Sequence, residues 1–395
     1  MSTYSHPLMS DNITRQDADE VIKFLSQNPL PQLTNGAKVR EFEDQWSKWL
    51  GVKHSLFVNS GSSANELTMQ AIKYLHGECK VIVPPLTWVS DIASVIHAGL
   101  KPVFCDINLK NLSFDMNHLR TLVDNQTKVI FVTHVLGINA LTQELLDFCR
   151  EKEILLIEDV CESHGTTFMN KKVGSYGYAS NFSYYFAHHM STIEGGMVCT
   201  NDSHFYQVLR CLRSHGMLRE ATDENFKKKI LEDNPDLNSD FVFIAASHNF
   251  RSTELNAVLG INQLKQLDAN NKIRSANFQY FIDRLDPIKY KVDFEMNGQC
   301  NYAFIAILQD GKMRFRDTVE ADLKKNGIEF RRGLSGGGSQ IKQPYVKNQM
   351  VVNETYFPNI EHVHHYSWYI GNYPSLEKKK IDKLVSVLNN VKMGY

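Results

Sequence analysis

Short apolar segments alternate with segments of helical periodicity from about residue 55 to residue 200. Five of the apolar segments are rich in valine, isoleucine, leucine and phenylalanine, at 55–58, 80–84, 103–106, 129–132 and 154–159. Nearly continuous apolar runs are typical of strands that are buried on both faces, as in a parallel sheet covered by helices. The alternation of strands and helices therefore predicts an α/β fold.

The pattern changes after residue 250. Apolar residues at helical spacing predict a helix around 251–267. From about residue 277 the chain has the pattern of a smaller α+β unit, with a strand at 302–307 and an amphipathic helix near the C-terminus. We expect a large domain at 1–275, which includes an N-terminal arm of about residues 1–35, and a small domain at 276–395.

The balance of charge argues against two classes of partner. The 395 residues include 43 lysines and arginines and 44 aspartates and glutamates, for a net charge of −1, so the chain has no overall attraction to nucleic acid or to an anionic membrane. No apolar run reaches the ~18 residues of a membrane span, and the N-terminus lacks the apolar core of a signal peptide. We expect a cytoplasmic protein with neither partner.

The cysteines and histidines do not predict a metal site. The seven cysteines include no C-x-x-C pair, which argues against a disulfide framework, a zinc ribbon or an iron–sulfur cluster. His362, His364 and His365 have only Glu361 at ligand spacing. We expect no metal.

Two segments near the start of the large domain could bind a flat, anionic ligand. Gly61, Ser62 and Ser63 lie between a strand and a helix, where free N–H groups favour a phosphate. The alternative is an ordinary serine N-cap. Trp88 follows the next strand, where its indole could stack on a heteroaromatic ring or fill the edge of the core.

Charged residues at strand ends are further candidates. Asp159 ends an apolar strand, where a carboxylate is costly unless it is paired. A protonated pyridine nitrogen would be a suitable partner, and a helix N-cap or a salt bridge is the alternative. Arg331 and Arg332 precede the glycine-rich loop 335–339 and could bind a nucleotide diphosphate or form a solvated basic pair.

A family resemblance follows from the order of four segments, at 59–65, 85–88, 157–165 and 183–196. The set resembles pyridoxal phosphate (PLP) enzymes of the aspartate-aminotransferase fold, and in particular the DegT/DnrJ/EryC1/StrS sugar aminotransferase family. In that family the fourth segment reads S-F-x-x-x-K-x-x-T-x-G-E-G-G, and its lysine binds the cofactor covalently. The resemblance implies PLP fold type I, with a mostly parallel seven-stranded sheet and a smaller C-terminal α+β domain.

The resemblance also implies roles for individual residues. It assigns the cofactor to Gly61, Ser62, Ser63, Trp88, Asp159, Glu162, Ser183, Asn249 and Arg251. Because the segment that contains Asn249 and Arg251 reaches the neighbouring subunit's cofactor in the family, a homodimer with shared active sites is implied. Candidates for substrate binding are His215, Arg219, Arg331 and Arg332.

The family's lysine position is occupied by His188 in this chain, and no lysine occurs between Lys172 and Lys227. An imidazole cannot form a stable imine, so PLP or pyridoxamine phosphate (PMP) would be held non-covalently. A small branch of the family, the 3-dehydratases, makes the same replacement, and Glu162 in place of the usual glutamine fits that branch.

The resemblance to this branch implies a reaction. L-Glutamate would supply the electrons that remove the C3 hydroxyl of a GDP-linked 4-keto-6-deoxysugar, either a hexose or a heptose. The imidazole of His188 would be the acid and base of that reaction. An aminotransferase that tolerates histidine, or an inactive homologue that binds nucleotide sugars, is the alternative.

Overall fold

A seven-stranded sheet forms the centre of the computed structural model, which describes residues 4–392. Its strands are β1 (His54–Val58), β2 (Lys80–Val83), β3 (Lys101–Phe104), β4 (Thr127–Thr133), β5 (Leu155–Asp159), β8 (Ala179–Ser183) and β9 (Gly196–Thr200), with β6 (Thr167–Phe168) and β7 (Lys171–Lys172) in a separate hairpin. The spatial order is β1-β9-β8-β5-β4-β2-β3, and only β9 runs antiparallel to its neighbours in this described sheet. The predicted α/β fold with a mostly parallel sheet is confirmed.

Helices cover the sheet because the inner strands are apolar on both faces. In β2, Val81, Ile82 and Val83 are all inaccessible to solvent. The helices of this part are α1 (Arg15–Leu25), α2 (Ala37–Leu50), α3 (Gly61–His76), α4 (Val89–His97), α5 (Met116–Leu122), α6 (Gln143–Glu151), α7 (Ser203–Arg213) and α8 (Glu224–Glu232). Within the described residues, no helix combines the length and the apolar character that crossing a membrane requires.

A second, three-stranded sheet lies in the C-terminal part of the chain. Its antiparallel strands are β10 (Ala303–Ile307), β12 (Ser367–Gly371) and β11 (Phe330–Arg332), in that order. The helices that follow α8 are α9 (Glu254–Ile282), α10 (Met313–Lys325), α11 (Pro344–Lys347), α12 (Pro358–Tyr366) and α13 (Lys378–Asn390). The helix predicted around 251–267 extends to Ile282, so the predicted boundary at 275/276 lies inside α9, and the division into two domains stays a prediction.

The N-terminal arm connects the C-terminal part to the loop between β8 and β9. His6 pairs with Ile328, and its Nε2 lies 2.8 Å from the carbonyl oxygen of Gly371. Further along, the Asn12 amide donates to the carbonyl oxygen of His188, and Gln263 donates to the Asn12 carbonyl at 2.9 Å. The arm therefore supports the segment that contains His188. Residues 1–3 of the predicted arm and 393–395 of the predicted small domain lie outside the described residues.

A buried ion pair fixes the end of β1 against α2 and α7. Arg213 Nη1 donates to Glu43 Oε1 at 2.6 Å and to the Phe57 carbonyl at 3.1 Å, while the Phe57 N–H donates to Glu43 Oε1 at 2.8 Å. Both side chains are almost fully buried. The two opposite charges and the main chain near the end of β1 are thus paired, just before the loop that enters α3.

We predict that Glu43→Ala destabilises the chain by about 3–5 kcal/mol, because it leaves the Arg213 guanidinium buried without a counter-ion. The free energy of unfolding in urea measures the effect. Glu41→Ala is the matched control on the same helix, where the exposed Lys38 pair contributes about 0.5 kcal/mol or less. Equal losses for the two variants would contradict a special contribution of the buried pair.

Candidate active site

A cavity of about 310 Å³ opens at the carboxyl ends of the parallel strands. Thr133, Asp159 and Ser183, which end β4, β5 and β8, lie in its wall. Ligands of open α/β sheets bind at this edge. Of the residues that the sequence suggested for a cofactor or for catalysis, the cavity brings together Gly61, Ser62, Trp88, Asp159, Glu162, Ser183 and His188.

The N-terminus of α3 forms an anion cradle at one side of the cavity. Ser60 caps the helix by accepting from the Ser63 N–H at 3.0 Å. A Cβ atom on Gly61 would lie 2.5 Å from the Cβ of Ser183, so only glycine lets α3 begin this close to the end of β8. Helix N-termini of this kind bind phosphate. Ser63 itself lies outside the cavity wall, and its hydroxyl donates to Asn59 at 2.5 Å.

Asp159 is a buried carboxylate that contacts no basic side chain among the described residues. Its two oxygens accept from the Cys161 N–H at 2.8 Å and from the Asn65 amide at 3.2 Å. The salt bridge that the sequence left open is therefore not formed within residues 4–392. A buried carboxylate without a cation suits a positively charged group on a ligand.

Trp88 presents its indole to the cavity instead of filling the core. The residue is 55% exposed although it precedes the first residue of α4 and follows a buried strand. An exposed indole at a concave site offers a flat apolar surface for an aromatic ring.

His188 lies in the loop between β8 and β9, and its ring packs against two tyrosines. The ring centroids of His188 and Tyr302 are 5.5 Å apart, and those of His188 and Tyr185 are 6.0 Å apart. Within the described residues, the buried Nδ1 atom has no hydrogen-bond partner. Burial, and then the charge of Arg274, lower the pKa of His188 to about 3, so the imidazole is neutral at physiological pH.

Arg274 lies behind this loop and is held by main-chain oxygens. It is 2% exposed, and its Nη1 donates to the carbonyls of Tyr302, at 3.1 Å, and of Asn372. Burial, followed by this arginine and neighbouring imidazoles, also holds the pKa values of His164 and His189 well below their usual range. The cluster therefore keeps all three imidazoles uncharged.

Glu162, another residue of the cavity wall, is held in place by two hydrogen bonds. Its oxygens accept from the Leu136 N–H and from the Ser335 hydroxyl, both at 3.1 Å. Burial raises the pKa of Glu162 to about 7, and the nearby charge of Asp159 acts in the same direction. Near neutral pH this side chain can therefore donate or accept a hydrogen bond.

Asn249 and Arg251 do not reach the cavity of their own chain. They lie in the segment before α9, where Arg251 pairs with Val58 and Asn249 pairs with Ser214. The cavity wall, as far as the structure describes it, contains three carboxylates and no lysine or arginine. A phosphate bound there would have only the α3 N-terminus as a positive partner from the same chain.

The arginines of β11 are engaged in ion pairs outside the cavity wall. Arg331 lies 3.3 Å from Glu329, and Arg332 donates to both oxygens of Glu320 at 2.5 and 2.7 Å. Arg332 would have to leave Glu320 to bind a diphosphate.

The other two candidates for substrate binding, His215 and Arg219, are exposed and also lie outside the wall. The Arg219 guanidinium lies 5.7 Å from the centre of the Phe241 ring. Among the described residues, no group of three histidine, cysteine, aspartate or glutamate side chains is arranged to hold a metal ion.

Sequence reasoning missed about half of the cavity wall: Ser60, Ser90, Thr133, Cys161, Tyr185, Glu194, Tyr302 and Ser335. Tyr302 and Ser335 come from distant parts of the chain, and no local pattern marks them. Tyr185 and Glu194 lie inside the segment that contains His188, so their proximity was a usable signal.

Comparison with known proteins gives the family. The DegT/DnrJ/EryC1/StrS aminotransferase family matches residues 11–389. A GDP-4-keto-6-deoxy-D-mannose 3-dehydratase of Escherichia coli O55:H7 is 30% identical over 369 residues, which cover 90% of this chain and 92% of that protein. A GDP-perosamine synthase of Caulobacter vibrioides is 30% identical over 300 residues, 75% of this chain and 76% of that one.

A solved structure gives the same fold. It shows a GDP-4-keto-6-deoxymannose 3-dehydratase with a trapped PLP–glutamate geminal diamine. The TM-score is 0.85 at 27% sequence identity, over 97% of this chain and 100% of the other. The fold is therefore PLP fold type I.

The residues that line the cavity fit PLP, independently of the comparisons. The glycine cradle at the α3 N-terminus suits the phosphate, the exposed indole of Trp88 suits the ring, and the unpaired carboxylate of Asp159 suits a protonated ring nitrogen. His188 lines the cavity, and among the described residues its buried Nδ1 atom has no hydrogen-bond partner.

We predict that His188 makes the chain less stable in acid. Its folded pKa of about 3 lies below the ordinary value of 6.5, so stability is lost as the pH falls from about 6.5 towards 3. As the pH falls below about 6.5, the natural chain should lose stability relative to His188→Gln. The difference between their free energies of unfolding should change by up to ~1.4 kcal/mol per pH unit.

Urea unfolding at pH 7.5, 6 and 5 measures this difference. His164 and His189 are present in both proteins, so the part of their contribution that burial and Arg274 set cancels. His204→Gln, a change at an exposed histidine, is the control and should show no such trend. A constant difference between His188→Gln and the natural chain would contradict a neutral, buried His188.

Proposed function

Because the chain belongs to the DegT/DnrJ/EryC1/StrS aminotransferase family, we propose that it is a PLP-dependent nucleotide-sugar 3-dehydratase. It replaces the C3 hydroxyl of a GDP-linked 4-keto-6-deoxysugar by hydrogen and converts L-glutamate into 2-oxoglutarate and ammonia. The observation that carries the proposal is His188, which occupies the family's lysine position in a cavity whose described wall has no lysine.

PLP, when bound, supplies an aldehyde that accepts the amino group of glutamate and a ring that accepts electrons. In this proposal Gly61, Ser62, Ser63 and Ser183 hold its phosphate, Trp88 contacts its ring, and Asp159 lies at its ring nitrogen. Glu162 contacts the ring hydroxyl. The arrangement retains both PLP and PMP without a covalent bond.

His188 moves the protons. The imidazole is neutral in the folded chain, so its unprotonated ring nitrogen would accept the proton that leaves the cofactor carbon bearing the amino group. Once charged, the imidazole readily gives up the proton, because its surroundings disfavour the cation. We propose that it then donates this proton to the hydroxyl that leaves C3 of the sugar, which departs as water.

The absence of a cation from the described cavity wall supports a shared site in a homodimer. A buried phosphate needs positive charge, and we propose that Asn249 and Arg251 of the partner subunit supply it. Exposed apolar side chains at and near the mouth, Trp88 at 55%, Tyr185 at 48% and Ile193 at 53%, suit burial against a second copy.

The choice of GDP and of a 4-keto-6-deoxysugar rests on the names of the relatives. We propose a role in making a 3,6-dideoxysugar such as colitose for a surface polysaccharide, O-antigen or capsule, with a hexose or heptose as substrate. Substrate contacts by His215, Arg219, Arg331 and Arg332, and the cytoplasmic location, stay predictions.

One other function has an observation in its favour. A GDP-perosamine synthase is 30% identical over three quarters of this chain, so a sugar 4-aminotransferase is the second candidate. It would leave the amino group on the sugar and keep the C3 oxygen.

The purified protein, incubated with PLP, L-glutamate and GDP-4-keto-6-deoxymannose, should form a product that lacks one oxygen, with one ammonia released per turnover. Mass spectrometry and an ammonia assay measure both. A product that carries an amine in place of the ketone would contradict the dehydratase and establish the aminotransferase. If glutamate is converted and the sugar stays unchanged, GDP-4-keto-6-deoxymannose is not the substrate.

We predict that His188→Lys lowers the rate of C3 deoxygenation by at least about 100-fold, since it removes the imidazole that transfers the proton. The lysine also offers an amine that competes for PLP. His188→Asn is the matched variant, because it removes the imidazole and adds no amine. Full deoxygenation by either variant would disprove the assignment of His188.

A further inference from the structure

A second carboxyl group, that of Asp91, lies directly behind Asp159. Asp91 is in the first turn of α4, is 1% exposed and is not part of the cavity wall. The Asn65 amide donates to Asp91 at 2.7 Å and to Asp159 at 3.2 Å, and it also lies 3.1 Å from the Ser90 hydroxyl. The two carboxyl groups are therefore joined through one side-chain amide.

The hydrogen bonds around Asp91 need one more proton than the neighbouring hydroxyls possess. Thr87 and Thr133 are 2.8 Å apart, Thr133 lies 2.9 Å from Asp91 Oδ2, and Thr87 contacts the same oxygen. These three contacts form a closed ring of three oxygens, whereas the two threonines have two hydroxyl protons. A protonated Asp91 supplies the third.

The charges around Asp91 and Asp159 also favour a neutral Asp91. The titratable groups that face Asp91 are Asp159, Cys161 and Tyr345, and no lysine or arginine of the described chain pairs with either aspartate. Burial and the like charge of Asp159 raise the pKa of Asp91 well above its ordinary value. The threonine hydroxyls and the N-terminus of α4 act in the opposite direction but do not offset these effects.

We propose that Asp91 is a positioning residue that stays a neutral acid, so that the pair carries a single negative charge, on Asp159. Asp159 is the carboxylate because it receives the Cys161 N–H and opens onto the cavity, whereas Asp91 is enclosed. The role of Asp91 toward the cofactor rests on the proposed function. One carboxylate balances one protonated ring nitrogen, so no buried charge is left unpaired.

The first test compares the affinity for PLP at pH 7.5, measured by absorbance titration. Asp91→Asn replaces a neutral acid by a neutral amide of the same shape and should bind within about threefold of the natural chain. Asp159→Asn removes the charge and should bind at least about tenfold more weakly. Asp91→Ala, which leaves the threonines and Asn65 without their partner, should bind more weakly than Asp91→Asn.

Two results would overturn the proposal. A loss for Asp91→Asn as large as that for Asp159→Asn would mean that Asp91 supplies charge. If a folded Asp91→Ala variant binds PLP as tightly as the natural chain, Asp91 does not position Asp159 for the cofactor.

The second test uses the full chain without PLP and does not depend on the reaction. A carboxyl whose folded pKa is raised holds a proton that the unfolded chain releases, so its contribution to stability falls as the pH rises above about 4. The unfolding equilibrium constant of the natural chain, divided by that of Asp91→Asn, should rise as the pH increases from 5 to 7, by at most about tenfold per pH unit.

Asp236→Asn, at an exposed aspartate, is the control and should leave the ratio constant. A constant or falling ratio for Asp91→Asn would mean that Asp91 is ionised in the folded chain. If this ratio rises but no 3-dehydratase activity is found, the proposed function fails and the single proton on the Asp91–Asp159 pair stands.

Discussion

The absence of a lysine from the described wall of the cavity is the constraint on which the rest of the site depends. His188 cannot attach a carbonyl cofactor covalently, so every contact that retains PLP must be non-covalent. In the proposed site, the glycine cradle, the exposed indole of Trp88 and the carboxylate of Asp159 hold both forms of the cofactor. In the same way, the lack of a lysine or arginine in the described part of the wall makes a second subunit part of the proposed site.

The fold keeps this histidine neutral mainly by burying it and, second, by the charge of Arg274, which together lower the pKa of His188. Arg274, on the long helix α9, is held by main-chain oxygens and has no carboxylate partner among the described residues. The N-terminal arm, through Asn12, fixes the main chain of His188. The proposed role of His188 therefore starts from a neutral imidazole that readily gives up a proton once it has accepted one.

Much of the fold and part of the site could be predicted from the sequence, for physical reasons. The inner strands are apolar on both faces, and Asp159 and Ser183 stand at strand ends, so their convergence was predictable. The presence of Tyr302 and Ser335 in the cavity wall depends on how the C-terminal part of the chain packs, and no local sequence pattern predicts that packing. The sequence allowed Arg332 either a diphosphate or a place in a solvated basic pair, and it did not predict the ion pair with Glu320 of α10, which depends on tertiary packing. The buried Asp91 in an apolar helix was visible in the sequence and was overlooked.

The most direct measurement is the mass of the chain after reduction. The protein is loaded with PLP, freed of excess cofactor by gel filtration, treated with borohydride and denatured. The account predicts that the chain keeps its unmodified mass and that the cofactor is released, because His188 forms no reducible bond. A chain that gains the mass of one reduced PLP on a single lysine would contradict the account, since another residue would then occupy the place assigned to His188.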